Sequence, residues 1–113
     1  MKISHRMEND ICIVTIAGNL LLSDTTPFRT YISSLMNEED LKAFVLDTNE
    51  IERIDSAGLG TLAALEKQTG QEQLAFGICQ KTGGYLFEAM KLTNLLDIFI
   101  IYESQKDALT NLA

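Results

Sequence analysis

The spacing of apolar and polar positions divides the chain into alternating strand-like and helix-like segments. Alternating or short apolar runs predict strands at 2–7, 11–17, 43–48, 74–79 and 98–102. Apolar residues that recur at intervals of three and four predict helices at 24–36, 57–68, 84–91 and 104–112. The predicted order is β-β-α-β-α-β-α-β-α.

This order predicts a single α/β domain over residues 1–113. Only Glu8-Asn9-Asp10 separates the first two strands, so these should form an antiparallel hairpin. Later strands are separated by helices, which implies parallel pairing through right-handed crossovers. We expect a mixed sheet of about five strands with the hairpin at an edge, about four helices mainly on one face, and a buried Val45. The third strand should end near Asp47 and be followed by a long loop.

Composition limits the classes of function. The chain has nine Lys and Arg against sixteen Asp and Glu, and the net charge of -7 argues against a nucleic-acid partner. No apolar run approaches the ~20 residues of a membrane span, and no signal-peptide pattern is present, so we expect a cytoplasmic protein without membrane insertion. Cys12 and Cys79 lie in apolar runs, where cysteine behaves as a small hydrophobic residue. We expect no disulfide, metal site or cofactor.

No group of residues has the pattern of a catalytic centre. His5 is the only histidine and has no nucleophile partner in the sequence. Residues 58–63 fit the G-x-G-x-x-A spacing, but no acid lies about 20 residues further on, and a long loop precedes the first glycine. Asp47 resembles the phosphate-accepting residue of response-regulator receivers, but the acidic pair that would bind Mg²⁺ is absent. We therefore expect no enzymatic activity.

The most distinctive stretch is residues 51–60, where a strand, a polar loop and a helix N-terminus are predicted to meet. Asp55 and Ser56 are both good N-cap residues, because a side-chain oxygen can accept a backbone N–H of the first turn. The apolar stripe of the following helix should point inward, while the Ser56 hydroxyl should be exposed. A phosphate placed there would face free N–H donors. We predict that this is the functional end of the molecule.

These residues carry a resemblance to a known family. Ile54-Asp55-Ser56-Ala57-Gly58-Leu59-Gly60 resembles the D-S-[ST]-G-L-G signature of STAS domains of the anti-sigma factor antagonist type. Three further passages match the family in order, namely Ala17-Gly18-Asn19-Leu20, Lys91 to Phe99, and Tyr102 to Leu109. The resemblance covers essentially the whole chain.

The resemblance implies a regulator without enzymatic activity of its own. Unphosphorylated members of the family bind an anti-sigma factor, usually an ATP-dependent serine kinase, and so release a sigma factor. The kinase phosphorylates a hydroxyl in the central motif, which breaks the complex, and a phosphatase resets it. The expected assembly is a monomer or weak dimer. The implied partner-binding residues are Asp55, Ser56, Ala57, Gly58, Gly60 and Thr61.

Two positions differ from the family pattern. Ala57 stands where the family commonly has Ser or Thr, often the phosphate acceptor, so Ser56 is the only hydroxyl left in the motif. Leu21 stands where the family usually has an acid near the acceptor. Ser56 therefore has two interpretations: it is the candidate phosphorylation site, or it is only a helix cap.

An alternative function belongs to a different class. A D-[ST]-A-G-L motif is also similar to the small STAS subunits of lipid-transport ABC complexes, in which the domain is a structural adaptor. The full D-S-x-G-L-G pattern and the C-terminal matches favour the antagonist. A ligand-binding STAS sensor is supported only by analogy of fold.

Overall fold

The computed structural model describes residues 1–37 and 41–112. Its strands are β1 (Lys2–Glu8), β2 (Ile11–Leu20), β3 (Ala43–Ile54), β4 (Ala75–Cys79) and β5 (Ile101–Tyr102). Its α-helices are α1 (Thr25–Met36), α2 (Ser56–Gln71), α3 (Tyr85–Leu92) and α4 (Gln105–Leu112), and short 3-10 turns lie at Leu22–Asp24 and Leu96–Ile98.

The strands form one mixed sheet in the order β1-β2-β3-β4-β5. β1 and β2 pair antiparallel, and every later neighbour pairs in parallel. Asn9 makes the tight turn between the first two strands with a positive φ of 56°, a conformation that asparagine tolerates well. The predicted hairpin, its edge position and the mixed sheet are confirmed.

Three helices pack on one face of the sheet and the fourth packs on the other. The larger core joins α1, α2 and α3 to β2, β3 and β4, and its fully buried side chains include Val14, Ile16, Phe28, Phe44, Leu62 and Met90. The smaller core packs Ala108 of α4 against Ile11, Ile13, Ala43, Val45 and Cys79. Val45 is 0% exposed, and the expectation of helices mainly on one face is confirmed. None of the helices described is both long and apolar enough to cross a membrane.

A chain of polar contacts fixes α4 to the sheet. The Gln105 side-chain amide donates a hydrogen bond to an Asp47 carboxylate oxygen at 2.7 Å, and the Gln105 carbonyl oxygen accepts one from the Arg6 guanidinium at 2.8 Å. The other Asp47 oxygen accepts the backbone N–H of Asn49 at 3.0 Å. Asp47 therefore has a structural role in the middle of β3.

The expected loop after Asp47 is wrong, because β3 continues to Ile54. The second half of β3 pairs with the end of β2, where Leu20 lies opposite Ile54. Most of its side chains are exposed, so the apolar pattern stops while the backbone pairing continues. The last strand is shorter than predicted, because residues 96–98 form a 3-10 turn and Ile100 is 56% exposed.

Both cysteines are buried in the sheet, as their apolar surroundings in the sequence indicated. Burial, with a smaller contribution from the charges of Asp47 and Asp107, raises the pKa of Cys79 to about 12. The Cys79 thiol therefore stays protonated near neutral pH and acts as an apolar side chain.

Candidate functional site

Asp55 alone separates the end of β3 from the start of α2. Its backbone is extended, and one of its carboxylate oxygens accepts the N–H of Gly58 at 2.9 Å, which makes Asp55 the N-cap of α2. The other oxygen accepts the N–H of Leu22 at 2.9 Å, in the 3-10 turn that follows β2. One carboxylate thus caps the helix and attaches the connection between β2 and α1 to it.

These contacts keep the Asp55 carboxylate charged. The hydrogen bond from the Gly58 N–H, with further ones from Leu22 and Ala57, lowers the pKa of Asp55 below its ordinary value. Asp55 is therefore ionised at neutral pH. A negative charge at a helix N-terminus also interacts favourably with the helix dipole.

Ser56 is the first residue of α2 and is exposed. The capping role that the sequence allowed for Ser56 is wrong, because Asp55 holds that position and Ser56 has already entered the helix. Within residues 1–37 and 41–112, the Ser56 hydroxyl makes no hydrogen bond. It is therefore available to another molecule.

The two glycines of the motif have different surroundings. A Cβ on Gly58 would lie 2.2 Å from the backbone oxygen of Leu20 and 2.7 Å from a side-chain carbon of Ile54. Gly58 therefore lets the first turn of α2 approach the end of β2. Gly60 is exposed, and a Cβ there would meet no atom within 4 Å. Of these two glycines, Gly60 has room for a side chain and Gly58 does not.

Thr61 is buried, and its hydroxyl donates to the backbone oxygen of Ala57 at 2.9 Å. Gly58 is buried as well, so these two residues support α2 from within. Asp55 and Ala57 are half-buried, and Ser56 and Gly60 are exposed. Binding of a partner by the six predicted residues stays a prediction. The part of this set that a partner could reach consists of Asp55, Ser56, Ala57 and Gly60.

The structure adds two apolar residues that the sequence did not single out. Leu22 is 70% exposed, and its N–H binds Asp55. Tyr85 is 49% exposed, and its hydroxyl accepts the N–H of Ile54 at 3.3 Å. Large exposed apolar side chains beside a polar site are typical of protein interaction surfaces. We define the motif surface as Leu22, Asp55, Ser56, Ala57, Gly60 and Tyr85.

A second acid lies beside this surface, although Leu21 replaces the acid that the resemblance led us to expect at that position. Asp24, in the turn before α1, accepts the N–H of Leu21 at 2.9 Å. Asp24 and Asp55 therefore bind the amides of two adjacent residues, Leu21 and Leu22. A phosphate on Ser56 would be added next to a region that already carries two carboxylates.

We predict that alanine destabilises the fold at Gly58 but not at Gly60. Gly58→Ala should lower the free energy of unfolding by about 1–3 kcal/mol, because the new methyl group would collide with the backbone of Leu20. Gly60→Ala should leave it unchanged or raise it by up to about 1 kcal/mol, because alanine favours a helix and the site is open. Urea denaturation of the two variants measures both values, and equal effects would contradict the close approach at Gly58.

Comparison with known proteins places this geometry in a family. Three solved structures share the fold: an anti-sigma factor antagonist from Mycobacterium paratuberculosis, at 24% identity and a TM-score of 0.83; a point variant of RsbS from Moorella thermoacetica, at 17% and 0.80; and the anti-sigma factor antagonist SpoIIAA in its unphosphorylated form, at 11% and 0.77. The matches cover 98%, 99% and 97% of this chain, and 94%, 95% and 95% of the respective structures. The family model for the STAS domain matches residues 2–108, so the chain belongs to the STAS domain family.

Proposed function

We propose that this protein is an anti-sigma factor antagonist, which binds an anti-sigma factor of the serine kinase type and so releases a sigma factor. The observation that carries the proposal is the exposed hydroxyl of Ser56 at the start of a capped helix, which no described residue binds, with Leu22 and Tyr85 exposed beside it. Two of the structures to which the chain is similar are described as anti-sigma factor antagonists.

The motif surface suits a protein partner. It joins apolar side chains to a polar helix end, and it includes Gly60, over which a partner can approach the helix backbone closely. The energy of binding would come from burying Leu22 and Tyr85, while Ser56 and Asp55 would set the specificity. The protein acts in the cytoplasm by this binding and not by catalysis.

We propose Ser56 as the phosphate acceptor that switches the complex. It is the exposed hydroxyl of the motif, whereas the Thr61 hydroxyl is buried and bonded to Ala57. A phosphate adds about −1.5 to −2 charges. The Gly58 N–H is already bonded to Asp55, so the phosphate would have to compete with that carboxylate for the donors of the helix end. The main effect of the added negative charge would therefore be to weaken binding of the partner.

We predict that Gly60→Glu abolishes partner binding without affecting the fold, because the new side chain would project from an open position of the motif surface. The matched control is Gly70→Glu. Gly70 lies on the same helix, is equally exposed and open, and is ten residues or about 15 Å away. The measurement is affinity capture from native lysate with the tagged protein and its two variants, with identification of the captured proteins by mass spectrometry.

The wild type and the Gly70→Glu variant should capture an ATP-binding serine kinase without its sigma factor, because binding of the antagonist releases the sigma factor. Gly60→Glu should not capture the kinase. Capture that survives Gly60→Glu would place the interface elsewhere on the molecule. Capture of an ABC-type ATPase instead would support the adaptor function and overturn the antagonist.

We predict that the cognate kinase adds one phosphate to the wild type and none to Ser56→Ala. Ser56→Ala should bind the partner permanently in the presence of ATP, and Ser56→Asp should weaken binding. Both variants should unfold within about 0.5 kcal/mol of the wild type, because Asp55 and not Ser56 caps the helix. Intact-mass spectrometry and urea denaturation measure these effects. An unmodified wild type would mean a constitutively active antagonist without this switch.

A further inference from the structure

The two edges of the sheet differ in a way that is relevant to assembly. β5 forms one edge and has only two residues, which is a common way to protect a sheet edge from pairing. β1 forms the other edge and has seven residues, Lys2–Glu8, with no proline. Its pairing with β2 is regular from Lys2 to Glu8, without a bulge. None of the described residues pairs with the outer side of β1.

β1 is also held firmly by the body of the domain. On one face, the His5 ring lies 2.6 Å from the Tyr31 hydroxyl of α1. On the other face, the Arg6 guanidinium donates to Gln105 of α4 at 2.8 Å. A strand that is fixed on both faces loses little further conformational freedom when it pairs, so its edge is preorganised.

We propose that two copies of this chain associate through β1, antiparallel and about a two-fold axis at His5, so that their sheets become one continuous ten-stranded sheet. The partner that fits this edge is a second copy because the sequence of β1 is complementary to its own reverse. In this register Lys2 lies opposite Glu8 of the second copy, and Ile3 lies opposite Met7. Opposite charges and apolar pairs are the favourable cross-strand combinations.

Symmetry and charge exclude the neighbouring registers. A two-fold axis perpendicular to the sheet keeps each side chain on its own face of the sheet. Directly opposed side chains must share a face, so the axis can move only from one residue of β1 to the next. With the axis at Ser4, Lys2 lies opposite Arg6 of the second copy. With the axis at Arg6, the two Arg6 side chains lie opposite each other. Both registers juxtapose like charges and lose two of the seven residue pairs. The register centred on His5 pairs all seven residues.

The two faces of the edge agree with this register. Ile3, His5 and Met7 share the face of α1, where Met7 is 47% exposed and would gain an apolar neighbour. Lys2 and Glu8 share the opposite face. Glu8 also contacts Arg6 of its own strand, so it would join one cation from each copy.

The association is expected to be weak, with a dissociation constant between about 10 µM and 1 mM, because one pair of short strands buries less than about 1,200 Å². Sedimentation equilibrium of the full chain at protein concentrations between about 10 µM and 1 mM tests for this dimer. Lys2→Glu should weaken the dimer about tenfold, because it creates two like-charge contacts across the axis. Adding Glu8→Lys to this variant should restore the dimer. Lys67→Glu, on the exposed side of α2, changes the net charge equally and should have no effect.

A cysteine at the axis tests the register directly. His5→Cys should form an intermolecular disulfide on mild oxidation, because directly opposed residues have Cα atoms about 4.5–5.5 Å apart. Met7→Cys should not, because its copy would lie four residues further along the strand, about 13 Å away. Cys12 and Cys79 are buried in the fold and should not interfere. A wild type that stays monomeric at 1 mM, a dimer that tolerates Lys2→Glu, or equal cross-linking at both positions would overturn the proposal.

Discussion

The fold and the site both depend on the carboxylate of Asp55. It accepts the Gly58 N–H at the start of α2 and the Leu22 N–H after β2. These two contacts set where the helix begins and hold the β2–α1 connection against it. Because Asp55 takes the capping role, Ser56 is exposed, and its hydroxyl makes no hydrogen bond to the part of the chain that the structure describes. The cap at Asp55 thus leaves the next side chain, Ser56, at the surface.

The buried Gly58 also allows the start of α2 to lie beside the end of β2. Its missing Cβ lets α2 approach the backbone of Leu20, so the helix N-terminus lies close to the end of β2. The exposed Leu22, the second acid Asp24 and the motif are brought together for this reason. The motif of this chain therefore combines residues with separate physical roles: a cap, an exposed hydroxyl, a glycine for close packing and an open glycine on the surface.

Most of the fold could be predicted from the sequence because apolar spacing follows burial. The prediction failed where strand residues are paired but not buried. β3 continues to Ile54 through mostly exposed polar residues, because β2 pairs with it beyond the apolar run. The motif indicated a candidate site, but the sequence alone could not distinguish Asp55 from Ser56 as the cap. Leu22 and Tyr85 were missed because hydrogen bonds across 33 and 31 residues bring them to the motif.

The central claim is that a partner binds the motif surface around a helix start fixed by Asp55. The most direct measurement is a titration of the ¹⁵N-labelled protein with the anti-sigma factor that it captures, followed by amide chemical shifts. The account predicts that the largest changes occur at Leu22, Ser56, Ala57, Gly60 and Tyr85, with small changes across α4. Largest changes in β1 or α4, with the amides of the motif surface unaffected, would contradict it.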